Sequence, residues 1–392
     1  MAENKNFIPI AKPWLTEDEK NAAMRPFATG WLTQGPEVLE FEKEFAAYVG
    51  APYACAVSSC TTALHLALLV AGVKPGDEVI SVSHSFIATA NAIRYCDAKP
   101  VFCDIEPGTF NLNPLLLESL ITPKTRAILC VHQLGMPCDL TQILQIAKRH
   151  ALVVIEDAAC AIGSEIFYNE QWEKIGKPHG DIACFSFHPR KVLTTGDGGM
   201  LTTSRPEWDE KFRSLRQHGM SVSDAKRHGA KEVIFEAYPV VGYNYRMTDF
   251  QAAIGRVQLE RLPEMLAKRR YLAARYRELL EGKNGLILPE EPAWARSNWQ
   301  SFCVRLPEDI EVKKVMQVML DQQIATRRGV MCIHREEAYS SQDASCGHDK
   351  LKQSENAQDH CLMLPLFSQM TEAEQDRVCS ALVEACGLVK QS

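Results

Sequence analysis

The first two-thirds of the chain alternates short apolar runs with amphipathic stretches, and that alternation narrows the possible folds more than any other feature. YACAV, EVISVS, PVFCD, RAILCVH, ALVVIED and DIACFSF are strand candidates. Strands that alternate with helices form a parallel sheet covered on both faces. The expected fold class is α/β: a large domain with a mostly parallel central sheet flanked by helices, plus a smaller C-terminal α+β domain. A length of 392 residues, 46% of them hydrophobic and 23% charged, suits such a pair.

The punctuation is specific. Thr16 followed by Glu19 reads as a capping box that opens a first helix. A second helix is expected over 36–49, with Gly50 just past its end. Further helices are expected at 60–71, 87–95, 247–262 and 264–280. GMLTTS follows the glycine turn Gly196-Asp197-Gly198-Gly199. Near 282–292 the pattern breaks into Gly, Asn and Pro, which places a domain boundary there: 1–282 is the large domain and 283–392 the small one. Beyond it SFCVRL and IATRRG read as strands, and 310–322 and 372–386 as helices. The polar stretch 338–356 reads as a surface loop.

Some functions are disfavoured. The formal charge of −6 argues against a nucleic-acid partner. No apolar run approaches the roughly 20 residues of a membrane span, and the N-terminus lacks a signal-peptide layout. The 14 cysteines sit mostly in apolar runs with no CxxC, as reduced buried thiols do. These features together predict a cytoplasmic protein. Cys346, His348, His360 and Cys361 form a loose group, but their spacing fits no common zinc pattern, and no metal is expected.

Four weaker signals bear on chemistry. Asp157 stands just past an apolar strand, where open parallel sheets bind ligands. Lys191 follows the strand ending at Ser186, Phe187 and His188, beside a Gly-rich turn, and a partly desolvated lysine can form a Schiff base. SSCTTALHLAL puts small hydroxyl residues at a helix start, which favours a phosphate. Phe86 lies between a strand and a helix and could stack on a flat ring. Taken singly, each has an ordinary structural explanation: a cap, a solvated loop or a core ring. One cofactor, pyridoxal 5′-phosphate (PLP), needs all four.

The order and wording of these motifs resemble the DegT/StrS-type sugar aminotransferases, PLP enzymes of fold type I. The resemblance runs from GWLTQGPEVLEFEKEFA through SSCTTALHLAL, GDEVISVSHSFIATANAI, VVIEDAACAIGS and FSFHPRKVLTTGDGGM to VGYNYRMTDFQAAIGRVQL and LMLPLF. It implies that Lys191 is the Schiff-base lysine and Asp157 the partner of the pyridinium nitrogen. It puts Phe86 at the ring-stacking position and Cys60, Thr61 and Ser186 at the phosphate. Asn244 would reach the phosphate of the neighbouring subunit's cofactor, in a homodimer with shared active sites. Trp31, Thr33 and Gly35 match a segment near the sugar. Arg246, Arg327, Arg328 and His334 are candidates for a diphosphate, although Arg327-Arg328 suits a surface ion pair equally well. His188 either lines the substrate side or packs.

Two positions depart from the family. Cys60 stands where many relatives have glycine, and Cys160 where many have a glutamine near the cofactor. A thiol is the poorer hydrogen-bond partner. The implied reaction moves an amino group from an amino acid, glutamate being the family's usual donor, to a keto group of a nucleotide-linked deoxysugar. The alternatives are a cyclitol or other non-nucleotide ketone as acceptor, or a non-catalytic regulatory protein. Sugar dehydration by relatives with histidine in place of the lysine is disfavoured by Lys191.

Overall fold

In a computed structural model of the protein, residues 6–222, 232–339 and 351–391 are described. The helices of the first part are α1 (Glu17–Thr29), α2 (Pro36–Val49), α3 (Cys60–Val70), α4 (Ala88–Tyr95), α5 (Pro114–Leu117), α6 (Leu140–Arg149), α7 (Pro206–Leu215) and α8 (Asp249–Leu280). The central sheet consists of β1 (Tyr53–Val57), β2 (Glu78–Val82), β3 (Lys99–Cys103), β4 (Thr125–Val131), β5 (Val153–Asp157), β8 (Ile182–Ser186) and β9 (Gly199–Thr203), in the order β1-β9-β8-β5-β4-β2-β3. Pairing is parallel from β8 across to β3, and only β9 runs antiparallel to its neighbours. The carboxyl ends of β2, β4, β5 and β8 therefore share one edge, where such sheets bind ligands. The expected fold class is found.

Local chemistry explains the helix boundaries. Thr16 and Glu19 cap each other's backbone at the head of α1, and Gly50 closes α2 with φ 80°. The break expected at residue 263 is absent, because α8 is one helix through Pro263. Proline removes an amide and crowds the preceding turn. Here Leu259, Leu262, Met265 and Leu266 on either side of it are all buried in the main core, and their packing outweighs that cost.

Several elements are additional to those expected. Helix α6 is capped by Asp139 and buries Leu140, Ile143, Ile146 and Ala147 on one face. Helix α7 follows Pro206. Strands β6 (Glu165–Tyr168) and β7 (Gln171–Lys174) form a hairpin whose turn residues, Asn169 and Glu170, both have positive φ. The two-residue strand β10 (Ala295–Arg296) joins that hairpin.

The small domain holds β11 (Phe302–Arg305), β12 (Arg327–Arg328), β13 (Cys361–Leu364), α9 (Val312–Asp321), α10 (Lys352–His360) and α11 (Glu372–Gln391), and β11, β13, α9 and α11 build a second core. Ile8 and the second half of α8, from Leu272 to Leu280, pack into it. The strand read in IATRRG shrinks to Arg327–Arg328, since a two-residue pairing with β13 is all that forms. The loop expected over 338–356 is corrected at its end, where α10 begins at Lys352: Asp104 accepts hydrogen bonds from the amides of Gln353 and Ser354 and so fixes the first turn. Cys346 and His348 lie outside the described residues.

Among the described residues no three His, Cys, Asp or Glu side chains are grouped to hold a metal, and no helix is long and apolar enough to cross a membrane. The described cysteines are free, and every one but Cys160 is buried.

Candidate active site

Strand β5 delivers Asp157 to the carboxyl edge of the sheet, where only 5% of it is exposed. Its Oδ2 accepts from Thr89 Oγ1 at 2.9 Å and its Oδ1 from the Ala159 amide at 3.2 Å. Ser85 Oγ lies 2.9 Å behind Thr89 Oγ1, so the hydroxyls form a short chain aimed at the carboxylate. Burial pushes the Asp157 carboxyl above its ordinary pKa; these two hydrogen bonds and the Lys191 charge pull the other way. An aspartate left at that cost calls for a cationic partner.

Lys191 lies in the loop between β8 and β9, half-buried. Its Nζ is 3.1 Å from Cys160 Sγ. Burial opposes its charge, but Cys160, Cys60 and Asp157 outweigh burial and raise its pKa. Three side chains from two segments are thus grouped: Asp157 at the end of β5, Cys160 three residues later and Lys191 from the loop after β8.

At the head of α3, Ser59 caps the amide of Thr62 at 3.2 Å and the two form a capping box. This leaves the amides of Cys60 and Thr61 at the open first turn, a natural anion seat. A Cβ on Gly199 would fall 2.5 Å from the Ser59 carbonyl and 2.7 Å from the Cys60 amide. Only glycine lets β9 lie that close. Ser186 sits at the end of β8. The Cys60 sulfur is buried, 3.6 Å from the Cys184 carbonyl oxygen and 4.0 Å from Asp157 Oδ1.

Phe86, between β2 and α4, is 65% exposed. A phenylalanine that open, in the loop that carries Ser85, serves a flat ligand better than it serves the core. Buried carboxylate, amine, open helix end and exposed ring together fit PLP.

The structure also places the outer candidates. Asn244 is exposed, and its backbone bridges to Gln217. Trp31 and Arg246 are half-buried, and Thr33 is exposed with its carbonyl accepting from the Asp249 amide. The Asp249 carboxylate in turn accepts from the Gly35 amide at 2.7 Å and the Val38 amide at 3.1 Å, which fixes that segment at the start of α2. His188 is half-buried and its Nδ1 accepts from the Arg190 amide; burial and then Arg190 lower its pKa. His334 is buried between Ser83 and Glu355, at 2.6 and 3.0 Å. Arg327 and Arg328 are exposed on the small sheet, and Arg328 lies 3.5 Å from Glu336. Neither of these two arginines is brought to the Asp157–Lys191 pair.

Several residues that shape the site carry no sequence signal of their own. Thr89 and Ser85 are one pair. Asn298 donates to the carbonyls of Cys160 and Ile162, and Gln300 donates to that of Arg190 at 2.6 Å, so one short strip holds both sides of the lysine. His132 accepts from the Cys138 amide on Nδ1, which leaves Nε2–H to donate to Glu156 beneath Asp157.

A model of the DegT/DnrJ/EryC1/StrS aminotransferase family matches residues 13–383. GDP-perosamine synthase of Caulobacter vibrioides is 40% identical over 380 residues, 96% of this chain and 97% of that one. The spore coat polysaccharide biosynthesis protein SpsC of Bacillus subtilis is 36% identical over 387 residues, covering 97% and 98% of the two chains. Among solved structures, the PLP form of Spr1654 from Streptococcus pneumoniae superposes with a TM-score of 0.89 at 26% identity, over 98% of this chain and 99% of that one.

Proposed function

The chain belongs to the DegT/DnrJ/EryC1/StrS aminotransferase family of PLP-dependent sugar aminotransferases, and from that premise we propose that it moves an amino group from L-glutamate to a keto group of a nucleotide-linked deoxysugar. The observation that carries the reading is the Lys191 amine, which lies 3.1 Å from Cys160, three residues after the buried Asp157 carboxylate. The likeness to a synthase that is named for a GDP-linked sugar supports the acceptor class.

In this reading Lys191 would hold the cofactor through its aldehyde, and its Nζ would move the proton of the donor Cα. Asp157 would face the ring nitrogen, and its low exposure would strengthen that pairing. Bound PLP would supply the electron sink for the proton transfer. Thr89 orients the Asp157 carboxylate. The amides of Cys60 and Thr61, with Ser186, bind the phosphate, and Phe86 covers the ring and excludes water from that face. Cys160 lies on the lysine side. For the second substrate the same residues work in reverse, with Lys191 returning a proton to the sugar carbon.

The protein acts in this reading as a homodimer, with Asn244 reaching the phosphate in the neighbouring subunit. The exposure of Asn244 supports this, as does the bare apolar stretch before it, where Phe235 is 91% and Val241 87% exposed. Trp31, Thr33, His188, Arg246 and His334 are proposed around the sugar nucleotide, and the cytoplasm as the compartment.

The test is to offer 3-keto and 4-keto nucleotide sugars, and separately a keto-cyclitol, with glutamate and to identify the aminated product. An aminated nucleotide sugar is expected. Amination of the cyclitol alone would replace the acceptor class.

A further inference from the structure

Lys191 Nζ and Cys160 Sγ, an amine and a thiol from different stretches of the chain, lie 3.1 Å apart. Both partners are held firmly. Asn298 Nδ2 donates to the Cys160 carbonyl at 2.8 Å, and Gln300 Nε2 donates to the Arg190 carbonyl beside the lysine. Every other described cysteine is buried, whereas Cys160 is half-buried.

We propose that Cys160 is a positioning residue acting through Lys191: its sulfur docks the lysine amine at the floor of the site and exchanges one proton with it. In one arrangement the S–H bond is broken and the proton is on Nζ, thiolate against ammonium. In the other the S–H bond is re-formed, and Nζ regains the lone pair with which it attacks an aldehyde. No further reactant is needed.

The surroundings favour such an exchange. The titratable groups near Lys191 are Asp157 from β5, Cys60 from α3 and His188 from its own loop, with His132 just past β4 and Cys184 of β8 next to Asp157. Burial lifts the Cys60 and Cys184 thiols well above their ordinary range, and burial and then Arg190 lower His188. Lys191 titrates above its ordinary value although burial works against it.

This inference rests on the reading that Lys191 is the cofactor lysine, and the experiment separates the two. Cofactor-free full-length protein is treated with limiting acetic anhydride at pH 8, and acetylation of Lys191 is followed by peptide mass spectrometry. Cys160→Ala should be acetylated at Lys191 about tenfold faster than the parent, the change in neutral amine that one unit of lysine pKa gives. Cys160→Ser should move the same way, since a hydroxyl does not ionise there. Cys160→Asp restores an anion and should hold Lys191 at or below the parental rate. Equal rates in the parent and the alanine variant, no reaction in either included, overturn the proposal. So does a Cys160→Asp protein that reacts as fast as Cys160→Ala. In parallel, parent protein loaded with PLP is reduced with borohydride and mapped. A label away from Lys191 would end the functional reading and leave the acetylation result standing on its own.

Discussion

Thr89 Oγ1 donates to Asp157 Oδ2 at 2.9 Å, with Ser85 Oγ a further 2.9 Å behind it, so the buried carboxylate at the floor of the site is held by a hydroxyl chain from the loop and helix after β2. A carboxylate that must face a ring nitrogen has to keep one orientation. Thr89→Val removes the donor with little change in shape and leaves a buried acceptor short of a partner, at a cost of about 1–3 kcal/mol. The donor half-reaction, followed by absorbance, should slow at least about tenfold, the effect of roughly 1.4 kcal/mol on a barrier. Thr89→Ser should recover most of it.

Burial raises the Asp157 pKa, and the sign of the consequence can be worked out. Below the unfolded-state pKa the carboxyl is neutral in both states and costs nothing. As pH rises through the raised folded-state value, folding must carry a buried charge, so stability falls. At pH 7 cofactor-free Asp157→Asn should melt at the same temperature as the parent or higher, with the gap closing toward pH 4. The same variant should lose nearly all transamination. A thermal melt series paired with an activity assay checks both halves.

Gly199→Ala puts a methyl carbon 2.5 Å from the Ser59 carbonyl and 2.7 Å from the Cys60 amide. Both are backbone, and neither can swing aside. The helix end that would take the phosphate must shift. Equilibrium titration of the variant with PLP should show affinity reduced by about tenfold or more, roughly 1.4 kcal/mol of binding free energy.

Arg269 on α8 is buried and donates to the carbonyls of Trp299, Gln300 and Leu366. Burial brings its pKa down to about 10, so it stays charged at neutral pH. It joins the main body to the strip that carries Asn298 and Gln300. Arg269→Leu leaves those carbonyls without their donor and should cost about 3 kcal/mol or more in a denaturant titration. The lysine side of the site should loosen with it, seen as faster loss of PLP on dialysis.

Much of this was legible from local rules. Capping at Thr16 and Ser59, the terminating Gly50 and the apolar strands follow from contacts within a few residues, and the sheet followed from their alternation. Asp157, Lys191 and Phe86 could be singled out because each stands at a strand end or just beyond it. What sequence could not supply depends on distant chain meeting. Asn298 and Gln300 reach Cys160 and Arg190 from more than a hundred residues away. Helix α8 ignores its proline because both flanks are packed in the main core, a tertiary effect that overrides local preference. The β6–β7 hairpin turns on Asn169 and Glu170, and a glutamate at positive φ gives no turn signal.

The central claim is that Lys191 carries the cofactor. The parent protein and Lys191→Ala are each loaded with PLP, reduced with borohydride, digested and mapped by mass spectrometry. The account predicts a pyridoxyl label on the peptide that contains Lys191 in the parent, and none in the variant, which should also lose its visible absorbance. A label on any other lysine, or an unchanged spectrum in Lys191→Ala, would contradict it.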